Sequence, residues 1–216
     1  MTRSQGRQTA RQQAAREEAL DHAQAVVAES GAGAVTVSEI ARRMGMRAPS
    51  LYKYFPSLHA IYDGLFERGN VLLAAHVDEA VRDLGAGLER ALETCRSISQ
   101  WGMEEQGLAP LMFWRPIPGF EPSPEAFRPA EALVAATRDD LRAAARRGQL
   151  SAAGDSDEAL RMLTSVSAGL CSQQMANQPG VPFEEGLFTS LLEPALEMFV
   201  TYYAPRPGGP RKKATA

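Results

Sequence analysis

At 216 residues, 44% hydrophobic and 23% charged, the chain is long enough to bury a real core. It has no apolar run of the ~20 residues that cross a bilayer and no apolar leader behind its polar, basic start, so a cytoplasmic protein with no membrane partner is predicted. The net charge of −3 conceals a division: residues 1–60 hold eight Lys/Arg against five Asp/Glu, residues 61–205 hold 11 against 21, and the last 11 residues hold four bases and no acid.

Nearly the whole chain carries the apolar spacing of helices, and no stretch alternates as a strand would. A first helix is predicted from Thr9 to Ser30, with Ala19, Leu20, Ala23, Val26 and Val27 on one buried stripe. The segment "SGAG" stops it. Thr36 and Glu39 then form a T-x-x-E capping box at the start of a short helix whose Val37, Ile40, Ala41 and Met44 face inward. Gly45 breaks that helix. A third follows from Ala48 to Tyr54, with Pro49 in its first turn, where a missing N–H costs nothing. Two short helices joined by a tight glycine turn make a helix-turn-helix.

After Pro56 and Ser57 a long helix runs from Leu58 to Val81, then others from Leu88 to Gln106 and from Leu108 to Trp114. A proline-rich loop leads to Ser123 and Pro124, the N-cap and first residue of a helix ending near Gly148. Asp155 and Glu158 form a capping pair for a helix reaching Asn177. A last helix spans Phe183 to Tyr203, kinked or broken by Pro194. The expected fold is all-α. The expected organisation is a helix-turn-helix DNA-binding domain over 1–60, a larger helical ligand-binding and dimerisation domain over 61–205, and a basic tail without a core over 206–216.

The stretch "TVSEIARRMGMRAPSLYKYFPSLHAIYDGL" resembles the DNA-binding signature of the TetR family of bacterial transcriptional regulators. The carrying features are the capped helix with "IA", the turn glycine, and "LY" followed two residues on by an aromatic and proline, with an apolar residue at Ile61. The resemblance implies that Leu51 and Phe55 pack, that Tyr52 contacts phosphate and sugar, and that Lys53 and Tyr54 face the DNA. Ser50 lies near the backbone or a base, and Arg42 and Arg43 cross the phosphates. Two positions depart from the family pattern. Arg47 stands where a small capping residue is usual, and either reads a guanine bidentately or holds a phosphate. Leu58 stands where a lysine is usual. The arginines Arg3, Arg7, Arg11 and Arg16 form an arm that either contacts DNA in compensation or has no DNA role.

For the second domain the resemblance implies sensing and dimerisation. Leu163 and Leu170 on one helix, and Phe188, Leu192 and Phe199 on the last, are the candidate interface of a four-helix bundle with a second subunit. Trp101, Met103, Phe113, Trp114, Phe120 and Phe127 gather around the proline-rich loop, with Cys95, Met162 and Val166 on flanking helices. Together they are candidates to line a pocket for an apolar or aromatic effector.

An enzyme is disfavoured. His22, His59 and His76 all precede residue 77, so the second domain has no imidazole base, and no G-x-S-x-G occurs. No His/Cys/carboxylate spacing suggests a metal or cofactor, and Cys95 and Cys171 read as buried free thiols. The predicted function is a regulator, most simply a repressor released from a palindromic operator by a small molecule. The alternative is a constitutive DNA-binding regulator without an effector.

Overall fold

The computed structural model describes residues 2–105 and 107–205, with side chains described from Gly6 onward. The basic tail at 206–216, the side chain of Arg3 and Gln106 lie outside the described residues. Among the described residues every regular element is a helix. The chain divides into two compact units that do not follow its linear order. One comprises Met1–Ala75 with Trp101–Glu131, the other His76–Gln100 with Ala132–Ala216.

The first unit begins with α1 (Thr2–Ser30), α2 (Val37–Arg43) and α3 (Ala48–Leu51). The stripe Ala19, Leu20, Ala23, Val26 and Val27 is buried, as its spacing predicts, with Ile40, Ala41, Leu51, Phe55, Ile61 and Leu65. Each large side chain so buried contributes about 1.5–3 kcal/mol. Thr36 caps α2 by accepting the Glu39 amide at 3.1 Å. The reciprocal half of the expected capping box does not form, because the Glu39 carboxylate is taken by Arg42 and Arg43.

The α2–α3 turn closes by two backbone hydrogen bonds, Gly45 N–H to the Arg42 carbonyl and Met46 N–H to the Ala41 carbonyl. This is the paired pattern of a left-handed helix stop, and it needs the φ of +66° that Gly45 adopts. Regular helix then ends at Leu51, three residues before the expected Tyr54. Tyr52–Tyr54 continue as a turn, with Tyr54 and Phe55 amides both bonded to the Leu51 carbonyl.

Ser57 starts α4 (Leu58–Ala80), its hydroxyl accepting the Ala60 amide at 3.1 Å. The part of α4 in the first unit packs on α6 (Ala109–Trp114). Gly69 permits this approach, since a β-carbon there would meet Met112 Sδ at 2.2 Å. Ser123 caps α7 (Pro124–Arg146) through the Ala126 amide at 3.2 Å, as expected.

The second unit centres on the C-terminal part of α7, α8 (Asp157–Asn177) and α9 (Leu192–Tyr202), with the N-terminal part of α5 (Leu88–Glu104). Ser156, not the expected Asp155 and Glu158, caps α8. It adopts the extended conformation and its hydroxyl accepts the Ala159 amide at 3.1 Å, while Asp155 lies 3.6 Å from Arg142. The single helix expected over 183–203 is instead two short 3-10 turns, Phe183–Glu185 and Thr189–Leu191, followed by α9. Pro194 thus falls in the first turn of α9, where its absent N–H has no helical partner to lose.

The expected dimer residues Leu163, Leu192 and Phe199 are corrected by this packing. All three are buried in the core of one chain, beside Leu141, Leu160 and Leu196. A side chain already enclosed on every side has no surface to offer a second subunit. Leu170 packs partly against the same core, and Phe188 is half-buried beyond it.

Candidate nucleic-acid interface

Gly45 reverses the chain so that α3 begins with its first turn outward. Arg47, its N-cap, makes no capping hydrogen bond and its side chain is exposed. Tyr52 is 52% exposed and Lys53 is exposed beside it, while Leu51 and Phe55 are buried beneath. Ser50 and Tyr54 are half-buried. A cation, a phenol and a second cation therefore stand together on a helix of one turn whose opposite face is anchored in the core. That presents hydrogen-bond donors and positive charge to a partner carrying phosphates.

The two arginines of α2 separate. Arg42 donates twice to Glu39, at 2.8 and 2.7 Å, with its side chain 71% exposed, so a phosphate can replace the carboxylate. Arg43 does otherwise. Its guanidinium grips Glu29 of α1 at 2.9 and 2.6 Å and Glu39 at 2.8 Å. It braces α2 against α1 with three of its five N–H donors, and its side chain is far less exposed than that of Arg42, at 22%. Hydrogen bonds from Arg42, then Arg43, hold the Glu39 carboxyl down at about 2. The Arg43 hydrogen bond likewise lowers Glu29. Arg16, expected in the free arm, is also engaged. It donates to the Tyr54 carbonyl and lies over the Phe55 ring, 4.4 Å from its centre.

The candidate effector residues fall into separate groups. In the first unit, Phe113 stacks edge-on with Trp101 (6.4 Å between centres) and Trp114 (6.3 Å). Trp101 and Met103 are buried, while Phe113 and Trp114 are partly open. Phe120 is buried against Tyr62 (5.7 Å) and Phe66 (6.5 Å) of α4, with exposed His59 at 6.0 Å. Phe127 lies 4.9 Å from Phe66 and under the Arg115 guanidinium. Asp63 of α4 accepts the amide (2.6 Å) and hydroxyl (2.8 Å) of Ser123. The loop between α6 and α7 is therefore fastened to the helix that follows the turn at Tyr54.

Cys95 and Met162 belong instead to the core of the second unit, and Val166 is exposed on α8. Burial pushes the Cys95 thiol up to about 11, against a hydrogen bond with Ser167, so it stays protonated and unreactive. Among the described residues no group of His, Cys, Asp and Glu is arranged to hold a metal.

Sequence reasoning missed Met198 and Tyr202 on an apolar surface of the second unit. Leu191, Met198 (72% exposed) and Tyr202 (68%) line the outer side of α9, opposite Leu192, Leu196 and Phe199. Pro194, Met198 and Tyr202 share one shallow groove. The signal was present as apolar residues on both sides of a short helix, one set more than a single core requires. It also missed the Asp63–Ser123 link, which joins positions 60 apart and leaves no local trace.

Residues 19–63 match the family model of bacterial regulatory proteins of the tetR family, and residues 91–194 match the tetracyclin repressor-like C-terminal domain. No curated protein matches the chain. Among solved structures, a protein with unknown function from Rhodococcus sp. RHA1 superposes with a TM-score of 0.73 at 18% identity, over 88% of this chain and 95% of that one. FadR from Bacillus subtilis, in complex with stearoyl-CoA, gives 0.60 at 17% identity over 86% and 97%. AibR, in complex with isovaleryl coenzyme A and operator DNA, gives 0.63 at 13% over 88% and 98%. At such identities the likeness is one of fold.

Proposed function

The chain belongs to the TetR family of bacterial regulatory proteins, and on that footing we propose that it is a repressor released from a palindromic operator by a small apolar or aromatic molecule. The observation that carries the DNA side is the exposed set Arg47, Tyr52 and Lys53 on a one-turn helix rooted by buried Leu51 and Phe55. A helix so placed fits the major groove with its first residues against base edges. Lys53, Tyr52 and Arg42 neutralise or bond phosphates, and Arg47 reaches a base edge or a phosphate.

The effector side rests on the aromatic groups of the first unit. A flat or acyl ligand packing on Trp101, Phe113 and Trp114 displaces α6 and the loop behind it. Phe120, Phe127 and Ser123 carry that shift to Tyr62, Asp63 and Phe66 on α4. Binding one arrangement better than the other by about 1–3 kcal/mol is a sufficient switch. Support comes from FadR and AibR, whose structures hold acyl-CoA molecules on this fold, and from AibR, which holds operator DNA as well.

A palindromic site calls for a two-fold dimer. The surface suited to it is the exposed row Leu191, Met198 and Tyr202 with Val166 of α8, rather than the buried leucines. The test is binding to the DNA upstream of its own gene across a salt series. Lys53→Ala should lower the slope of log affinity against log salt by about one, and Arg47→Ala should lower affinity or relax preference at one base pair. Wild-type binding by both variants would remove this helix from the interface.

A further inference from the structure

The N-terminal half of α1 has no structural reason to be there. Helix α1 spans Thr2–Ser30, yet its buried face begins only at Ala19. Residues 6–14 are exposed on every side. They contain no large apolar residue, so no core face rewards their order. Their sequence, "GRQTARQQA", also opens on a glycine, a poor helix former.

The charge on this helix is divided end to end. Residues 1–16 carry four arginines and no acid, whereas residues 17–30 carry four acids and no Lys or Arg. The acidic half is used within the unit: Glu17 and Asp21 hold Arg68 at 2.6 and 2.7 Å, and Glu29 holds Arg43. Among the described residues no carboxylate pairs with Arg7 or Arg11. These two stand one turn apart on one face, where like charges repel, and near the positive end of the helix dipole. The isolated chain therefore carries an arrangement that an external anion would relieve.

The placement says which anion. Arg16 pins α1 to Tyr54 and Phe55, immediately after α3. At 1.5 Å per residue, Arg11 lies about 7 Å and Arg7 about 13 Å further along the axis, within a few phosphates of a duplex held by α3. A membrane surface is disfavoured because residues 6–14 offer no apolar face to insert.

Resting on the reading of α3 as the DNA-binding helix, we infer that the exposed start of α1 is a second DNA contact, with Arg7 and Arg11 gripping phosphates that flank the half-site. It supplies the positive charge that Leu58 does not.

The test uses the full chain with Arg7→Ala/Arg11→Ala, Arg7→Lys/Arg11→Lys and Lys53→Ala. The duplex carries the upstream site with ten flanking base pairs on each side. The alanine pair should flatten the salt slope by about two per chain, and the lysine pair should retain it. Trimming the flanks to the footprint should erase the difference between wild type and the alanine pair. Both substitutions suit an exposed helix, so folding is not at risk. A wild-type slope in the alanine pair, with Lys53→Ala still reduced, overturns this inference alone. Wild-type binding by both Lys53→Ala and Arg47→Ala overturns the reading of α3 and this inference with it. Binding to phosphatidylserine vesicles that the alanine pair abolishes, with the DNA slope unchanged, assigns the arginines to a lipid surface and also overturns it.

Discussion

Asp63 accepts two hydrogen bonds from Ser123, one from its amide at 2.6 Å and one from its hydroxyl at 2.8 Å. A single carboxylate thus fixes the N-cap of α7 to the first turns of α4. Asp63→Ala leaves that amide without its partner and should cost about 1–3 kcal/mol. Asp63→Asn keeps one acceptor and should cost less, whereas Ser123→Ala also loses the cap on the Ala126 amide and should cost about 0.5–2 kcal/mol on that account alone. Urea unfolding checks the ranking. Because the same contact couples the α6–α7 loop to α4, Asp63→Ala should also change operator affinity while leaving Arg47, Tyr52 and Lys53 in place.

The Glu29–Arg43–Glu39 brace gives a pH dependence. Hydrogen bonding by Arg42 and Arg43 holds the Glu39 carboxyl at about 2, below its ordinary 4.5. A carboxyl depressed by folding stabilises the fold above its unfolded value, and the gain is lost as pH falls through the folded one. The brace should therefore be intact at neutral pH, weaken below about pH 4.5 and be gone near pH 2. Amide protection factors in α2, corrected for the intrinsic pH dependence of exchange, should fall over that window. Glu39→Gln should show lower protection at neutral pH and little further loss of protection on acidification.

The outer row of α9 should hold the dimer. Met198→Glu or Tyr202→Glu should give monomers in sedimentation with helical content unchanged. Leu163→Ala should behave differently. It opens a cavity in the core of one chain and should cost about 2–5 kcal/mol, with the subunits still paired wherever they fold.

Gln174 is fully buried, and its side chain serves the segment ahead of α9. The side-chain carbonyl accepts the Phe188 amide at 2.9 Å and its amide donates to the Gln178 carbonyl at 3.3 Å. Gln174→Leu should leave the Phe188 amide unpaired and cost about 1–3 kcal/mol. Hydrogen exchange should locate the loss at residues 178–190.

These outcomes mark what the sequence could convey. Helix existence was legible wherever apolar spacing and a capping residue agreed, as at Thr36, Ser123 and the α1 stripe. The turn was legible because Gly45 has few uses other than a left-handed stop. Boundaries failed where two capping residues competed: Ser156 displaced its acidic neighbours by adopting the extended conformation one residue later. Exposure and a second ion pair distinguish Arg42 from Arg43. The deciding carboxylate, Glu29, lies on another helix, 14 positions away. Leu192 and Phe199 failed for a related reason, since a short helix with apolar residues on both sides does not say which side its own core takes.

One titration decides whether effector binding in the first unit governs DNA release. Trp101 and Trp114 are the only tryptophans in the chain and both flank Phe113. Acyl-CoA thioesters and simple phenols can be added to the protein on labelled upstream DNA, with tryptophan emission and DNA anisotropy read in the same cuvette. At least one compound should shift tryptophan emission and release the DNA over one concentration range, with both responses displaced together by Asp63→Ala. Compounds that saturate the tryptophan response while the DNA stays bound would contradict this, leaving a DNA-binding regulator whose aromatic group does not control its operator.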